Sequence, residues 1–573
     1  MYCRVIACDF DGTGAAHGHL AAEVAAALHR ARDAGITTLL VTGRVLEDLQ
    51  VALVDFSAFD AVVAENGALL WFPEREHTVQ LGSSPPEHFL GRLREAGIPF
   101  HAGAVVVGTW EGHAGQALTL IRESGLDLQL VFNRSALMLL PSGIDKAVGV
   151  RRALEELKRS ERNMIVFGDA ENDLPLFGVA EVAVAARGSL PAVAARADEQ
   201  LSRPGGEGVA HYVETLLDAG CRAPSPARRR LALGRADDGT PVSLRLGDGN
   251  VLVSGDPRSG KSWLAGLVAE HLLEQGYRLC IVDPEGDHQS LAQRPGCVLL
   301  GQHLALPKPQ HLPAVLEDLQ ASVVLSLTAL PQDAQTAYVC CALEALADAR
   351  RRSGLPNWIV VDEAHYFFRD GAGTCTDVLG KTGNLLLATY RPSLLSSATH
   401  ESIGAYLLRR TDVEAERYFV EALLGARGPR DRAAVDMLDD LHDNQTGLLL
   451  DTSDGPIWQT FVAEPRVSRH VHHRRKYVDG GVPPGKGFRF TVPGDVVVAS
   501  ARNVREFAAA IGTVPLESLR RHLAAGDFSR WSREVLGDPD LATGLAKLEQ
   551  ITALGASPSR EEIIDHLRDR YVM

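Results

Sequence analysis

No apolar run in the chain approaches the roughly 20 residues that a membrane-spanning helix needs. The opening Met1-Tyr-Cys-Arg-Val-Ile-Ala-Cys reads as a first β-strand and lacks the basic start, apolar middle and small-residue cleavage site of an export signal. Cysteine is scarce, eight in 573 residues, with no Cys-x-x-Cys spacing for zinc and no regular disulfide framework. The adjacent Cys340-Cys341 suit a buried helix better than a bridge. These absences point to the reducing cytosol, cytoplasmic and away from any membrane. Positive charge is also short: 58 Lys and Arg stand against 73 Asp and Glu, a formal net charge of −15. That argues against a protein that coats nucleic acid nonspecifically and leaves only local basic paths. Arg228-Arg229-Arg230 and His470-Val-His472-His473-Arg474-Arg475-Lys476 are the two such clusters, and each reads more simply as a solvated face. There is no internal repeat and no long low-complexity segment.

What is present is a long chain with alternating apolar runs, too long for a single core. From Val5 to about 218, short β-type runs alternate with helical stretches: a helix over Leu20–Ala34, strands at Thr37–Thr42, Asp60–Ala64 and Met164–Phe167. Buried parallel strands have this form, short and apolar on both faces with polar chemistry at their C-terminal ends. Residues 80–140 interrupt the pattern with β-type runs, His101–Gly108 and Asp127–Leu140, and read as a small inserted α/β lobe. Pro224-Ser-Pro226 lies in a linker, about 219–229. A second α/β pattern follows over 230–465, with strands at Val251–Ser254, Arg278–Val282, Ser322–Ser326, Trp358–Val361 and Asn384–Thr389. The tail, 466–573, holds a β-type stretch at Phe488–Val498 and a helical end.

Two sets of phosphate-handling residues lie on these patterns. In the first, Asp9 and Asp11 flank Phe10 just past an apolar strand, and Gly12-Thr13 let the chain turn. A carboxylate at such a strand end can attack phosphorus and form an aspartyl-phosphate. Asp9 is the candidate nucleophile and Asp11 the acid and base; Thr42 would bond a phosphoryl oxygen and Lys146 would neutralise nucleophile and phosphate. Asp169 and Asp173, on a turn after the Met164–Phe167 run, would join Asp9 and Asp11 around a hard cation, Mg²⁺. The ordered motifs Asp9-Phe-Asp11-Gly-Thr13, Thr42-Gly43-Arg44, Lys146 and Gly168-Asp169-Ala-Glu-Asn172-Asp173, with Glu65-Asn66-Gly67, resemble those of the haloacid-dehalogenase-like phosphatases. The insertion looks like the C2 cap of the type IIB (Cof-like) members. The resemblance covers 1–218 and implies a Rossmann-like core acting on a phosphate ester. One departure is Gly14, where a bulky apolar residue is common.

The second set is Gly255-Asp-Pro-Arg258-Ser259-Gly260-Lys261-Ser262, after an apolar run and opening a helix. Glycines let backbone N–H groups turn around a triphosphate, and the helix N-terminus adds positive potential. Lys261 would reach the β/γ-phosphates of ATP, and Ser262 and Asp362 would hold its Mg²⁺. Glu363, beside Asp362 at the end of an apolar strand, would polarise the attacking water. With Asp283-Pro-Glu-Gly-Asp287 and Thr389-Tyr390-Arg391-Pro-Ser393, this set resembles the HerA/FtsK ring ATPases, nearest the HerA-like branch. Tyr390 stands where Gln is usual, and the N-terminal barrel of many HerA proteins is replaced. The resemblance implies a RecA-like P-loop domain that binds ATP with Gly255, Arg258, Ser259, Gly260, Lys261, Ser262, Asp362 and Arg391. It also implies a homo-hexamer engaging duplex DNA, with Arg409 or Arg410 reaching the neighbouring subunit's nucleotide.

The sequence therefore describes an α/β chain: a Rossmann-like core with a small cap, a P-loop ATPase domain, and a mostly helical C-terminal domain for assembly. The expected function is a Mg²⁺-dependent phosphohydrolase joined to a ring ATPase in DNA processing or anti-phage defence, where a nuclease partner would fit. The alternatives are a small-molecule phosphatase organised by an ATPase ring without nucleic acid, and a phosphatase fold serving only as a ring adaptor.

Overall fold

Val5–Asp9 is apolar on both faces because parallel neighbours flank it: Met164–Gly168 on one side and Thr37–Val41 on the other. The computed structural model describes residues 2–571 apart from 17, 224, 248, 258, 303, 372–374, 380–382, 426–440, 442–444, 451–456, 469–481, 483–485, 537 and 554–557. Two compact units divide the chain, one of Met1–Val282, Leu291–Leu325 and Ala329–Ser468, the other of Asp283–Ser290, Ser326–Thr328 and Arg469–Met573.

The first unit contains two sheets of parallel type. The N-terminal sheet has eight strands in the order Glu199–Pro204, Val182–Arg187, Met164–Gly168, Val5–Asp9, Thr37–Val41, Ala61–Ala64, Leu69–Phe72, His77–Gln80. All its pairings are parallel except the last two. This is a mixed α/β, Rossmann-like core, and burial on both faces explains the uninterrupted apolar strands. The inserted lobe is a four-stranded antiparallel sheet, Leu128–Asn133, Ala136–Pro141, Val107–Trp110 and His101–Ala102 in that order, with helices Glu87–Glu95 and Ala114–Ser124. The continuous run Asp127–Leu140 is in fact a hairpin, with Asn133 opposite Ala136 and the turn at Arg134-Ser135.

The central sheet has eleven strands. Its parallel part runs Ile403–Leu408, Asn250–Ser254, Leu385–Thr389, Trp358–Val361, Leu279–Asp283, Ser322–Ser326, Cys297–Leu300. Antiparallel strands Gln445–Leu450, Ile457–Ala463, Arg230–Arg235 and Pro241–Arg245 extend one edge. Cys340 and Cys341 lie on the helix Gln332–Ser353, where Cys341 is exposed rather than buried; all eight cysteines are free thiols. Among the described residues no helix is long and apolar enough to cross a membrane.

In the second unit the hairpin Phe488–Val492/Val496–Ala501 and five helices between Val504 and Tyr571 enclose an aromatic core. Phe488, Phe490, Phe507, Phe528 and Trp531 pack largely edge to face with ring centroids 4.7–6.1 Å apart. These rings are buried.

Candidate active site

The first centre gathers where the N-terminal strands end. Asp9 closes its strand, and the Gly14 and Ala15 N–H groups bond back to the Asp9 and Phe10 carbonyls, at 3.1 and 2.8 Å, to turn the chain sharply. Gly12 adopts a φ of +80°, and a Cβ there would meet Asp169 Oδ2 at 2.5 Å, so two requirements fix it as glycine. Lys146 opens the helix Lys146–Glu156, which Asp145 caps by accepting from the Val148 N–H. Its buried ammonium donates to Asp9 Oδ1 at 2.5 Å and to Asp173 Oδ1 at 2.7 Å. Asp173 also accepts from the Asp169 and Ala170 N–H groups, at 2.9 and 3.1 Å, so it both caps its turn and holds the lysine.

Oxygens of Asp9, Asp169 and Asp173 lie within 4.8 Å of one another, all buried. Burial and the charge of Asp173 push the Asp9 carboxyl well above its usual range, against the pull of Lys146. Burial alone would lower Lys146, but Asp173 and Asp9 outweigh it and hold the ammonium protonated. Three close hard-oxygen donors, with Asp9 destabilised as an anion by its neighbours, fit a divalent cation such as Mg²⁺.

Asp11 is placed differently. Its half-exposed carboxylate takes a two-pronged salt bridge from Arg44, at 2.8 and 2.6 Å, and so stands off the cluster that holds the other three acids. Arg44 also lies over the Phe10 ring, 5.0 Å from its centroid. Thr42 is buried, and its hydroxyl accepts from the Arg44 N–H at 3.1 Å.

Two residues to which the sequence reading gave no role shape the mouth. Glu65, fully buried with a φ of 52°, accepts the N–H groups of Ala104, Val105 and Val106 at 2.9, 2.7 and 2.9 Å, tying the inserted lobe to the core. Arg134, at the tip of the lobe hairpin, bonds Asp169 Oδ2 with its guanidinium. The merged reading of Asp127–Leu140 hid it, although Asn133 and Ser135 were turn signals inside an apolar run.

The second centre lies at the ends of the central strands. Gly255 and Gly260 have φ values of 158° and 91°, and a Cβ on either would strike Arg409, at 2.6 and 2.7 Å. Lys261 opens the helix Lys261–Glu274, and its buried ammonium donates to Glu363 Oε1 at 2.9 Å. One strand, Leu385–Thr389, separates the strands that carry them, yet their side chains converge. Ser262 and Asp362 are buried, and Asp362 Oδ1 accepts from the Glu363 N–H at 2.9 Å. Tyr390 places its ring 5.5 Å from the Lys261 ammonium, and the exposed Arg391 stacks on the same ring at 5.3 Å. Arg409 is buried and committed within its own chain: Nε donates to the Ser259 carbonyl at 2.6 Å and Nη1 to Thr446 Oγ1 at 3.0 Å. Arg410 is half exposed and pairs with Asp412 at 2.9 Å. Arg258 and the His470–Lys476 cluster lie outside the described residues. In the other basic cluster Arg228 and Arg230 are exposed, as a solvated face would be; Arg228 bonds Asp198 at 2.8 Å, and the half-buried Arg229 bonds the Ala180 carbonyl.

Residues 130–213 match the family model for haloacid dehalogenase-like hydrolases. Similar curated proteins include Phosphoglycolate phosphatase 2 of Saccharolobus solfataricus, 29% identical over 31% of this chain and 76% of its own length. Another is the phosphoglycolate phosphatase of Aeropyrum pernix, 29% identical over 39% of this chain and 96% of its own length. The phosphoglycolate phosphatase of Sulfurisphaera tokodaii is 33% identical, over 16% of this chain and 41% of its own length. The N-terminal module thus carries a core of the haloacid dehalogenase-like hydrolase type.

Proposed function

We propose that the chain is a bifunctional hydrolase: a Mg²⁺-dependent phosphatase of the haloacid dehalogenase type, joined to an ATP-hydrolysing P-loop centre. The observation that carries the first half is the Lys146 ammonium bridging Asp9 and Asp173 beside Asp169. Asp9 attacks phosphorus; an Asp9 oxygen–phosphorus bond forms and the ester oxygen–phosphorus bond breaks, with Asp11, once protonated and released from Arg44, giving its proton to the leaving oxygen. Water then takes the phosphoryl group from Asp9, with Asp11 accepting its proton. Lys146 holds Asp9 in line, and Thr42 bonds a phosphoryl oxygen. A divalent cation on Asp9, Asp169 and Asp173 would supply neutralising charge for the phosphate. The small lobe and the named relatives favour a small acid phosphate such as 2-phosphoglycolate.

At the second centre, Lys261 and Glu363 hold each other in the positions from which they would bind phosphate and orient water. Ser262 and Asp362 would hold magnesium with the nucleotide. The likeness to HerA/FtsK ATPases supports a homo-hexameric ring that moves duplex DNA, with a nuclease as a fitting partner. Arg410, at the surface, is better placed than Arg409 to serve a neighbouring subunit. A ring that organises the phosphatase without DNA is the competing reading, and DNA-stimulated ATP turnover separates the two.

The experiment measures phosphate release from p-nitrophenyl phosphate and from ATP in wild type, Asp9→Asn and Lys261→Ala. Asp9→Asn should lower ester hydrolysis by about 1,000-fold or more, and Lys261→Ala should do the same to ATP turnover. Ester hydrolysis that survives in Asp9→Asn overturns the nucleophile; ATP turnover that survives in Lys261→Ala overturns the P-loop assignment.

A further inference from the structure

Arg134 sits where the turn chemistry disfavours it. The hairpin Leu128–Asn133/Ala136–Pro141 closes through two residues, and Arg134 takes the first central position with a φ of 54°. Gly, Asn or Asp fill such positions without strain, and a long cation there costs about 1 kcal/mol of backbone energy. Two contacts hold it. Its N–H donates to Glu171 Oε2 at 3.2 Å, and its half-exposed guanidinium bonds the buried Asp169. The same hairpin brings Met138 Sδ to 3.0 Å from where a Cβ on Gly43 would stand, so the lobe lies closed beside Thr42.

Asp169 is a member of the three-carboxylate cluster. Arg134 therefore neutralises a carboxylate that a divalent cation would also take, and the two compete for it. Once that carboxylate is taken, the planar guanidinium fork loses its hydrogen-bonded acid and keeps only the through-space field of Glu171, which the Arg134 N–H holds, and of Asp9. The Asp169 oxygen lies within 4.8 Å of Asp9, and one hydrogen bond adds about 3 Å. The path from Asp9 to the guanidinium is therefore at most about 10 Å, which favours a short spacer between phosphate and a second anion.

Resting on the phosphatase reading above, we infer that Arg134 is the specificity residue of the first centre. It exchanges Asp169 for a carboxylate on the substrate, and so selects phosphate monoesters of two- or three-carbon acids over esters with uncharged leaving groups. A hexose phosphate lacks the second anion, and an aryl phosphate leaves the guanidinium unpaired in a closed site.

The test compares wild type, Arg134→Gln and Arg134→Lys on 2-phosphoglycolate and phenyl phosphate, with calorimetric Mg²⁺ titration of the substrate-free proteins. Loss of one charge-assisted pair should cut the kcat/KM ratio of 2-phosphoglycolate to phenyl phosphate by about 30-fold in Arg134→Gln, mainly through KM, with partial recovery in Arg134→Lys. Mg²⁺ should bind Arg134→Gln about threefold tighter or more, because its competitor is gone. An unchanged substrate ratio, or Mg²⁺ affinity equal to or weaker than wild type, overturns the inference. If neither ester is hydrolysed by wild type, the phosphatase reading fails instead, and the Mg²⁺ titration still decides whether Arg134 and the cation compete.

Discussion

At the scale of single residues, the clustered acids Asp9 and Asp169 were legible because each stands at the end of an apolar strand. Asp9, Lys146 and Asp169 are far apart in sequence, but parallel strands carry both acids to one edge and a helix start brings the lysine to them. The partner of Asp11 was not legible: Arg44 meets it through a loop whose path no periodicity records. The same holds for Glu270, an acid on the helix after Lys261 that reads as ordinary. It receives Arg466 at 2.9 Å, the Val467 N–H at 2.9 Å and the Ser468 hydroxyl, clamping 466–468 to that helix. Burial pushes the Glu270 carboxyl up, but the bonds from Ser468, Arg466 and Val467 outweigh it and hold it below its usual 4.5. A carboxylate lowered by folding stabilises the protein above its unfolded pKa, and the contribution is lost as pH falls through the folded value. Wild type should exceed Glu270→Gln by about 2 kcal/mol near neutral pH. Urea unfolding of both proteins should show that margin constant above pH 4.5 and shrinking below it. A margin that grows on acidification contradicts this account.

At the scale of elements, some continuous apolar runs were read and others, Val182–Arg187 and Ile403–Leu408 among them, were passed over. Val251–Ser254 and Trp358–Val361 are buried on both faces and stand out. Arg230–Arg235, Pro241–Arg245 and Ile457–Ala463 extend one side of the sheet, mix polar residues into the pattern and were passed over. The inserted lobe was expected over 80–140, but nothing local showed what fixes it to the core. That role falls to Glu65, whose carboxylate satisfies three successive N–H groups that would otherwise be buried without partners. Glu65→Gln keeps the shape and offers a neutral amide to the same groups. It should cost about 1–3 kcal/mol and speed hydrogen exchange at Ala104, Val105 and Val106 by about tenfold or more. On the proposed function, ester turnover should fall more than ATP turnover, because the lobe hairpin contacts Asp169 of the first centre. Unchanged exchange at these three amides would mean that the lobe is held by its packing alone.

For the whole molecule, the informative fact is which ends of the two sheets meet. Asn163, just before the strand Met164–Gly168, accepts from Asn357, just before Trp358–Val361, at 2.9 Å. Glu181, just before Val182–Arg187, accepts the Tyr277 hydroxyl at 2.9 Å, close before Leu279–Asp283. Arg162 and Arg229 reach the same Glu181 carboxylate at 3.3 Å. Burial and then Arg162 push Arg229 down to about 10, with Glu181 opposing them. The junction thus joins the N-terminal edges of both sheets, whereas both centres sit at C-terminal edges, each about 16 Å of strand away. On the reading proposed above, the two centres do not adjoin within the chain, so coupling between them would run through this junction. None of this was legible, since a Glu and a Tyr before two strands carry no pattern. Glu181→Ala leaves two arginines and a tyrosine facing one another in a buried seam. It should destabilise the chain by about 3–5 kcal/mol, whereas Tyr277→Phe, which removes a single hydroxyl, should cost about 1–3 kcal/mol. If the junction carries coupling, saturating ATP should change ester kcat/KM in wild type and not in Tyr277→Phe, at a temperature where both are folded by circular dichroism. An ATP effect of equal size in the two proteins would place the coupling elsewhere than in this junction.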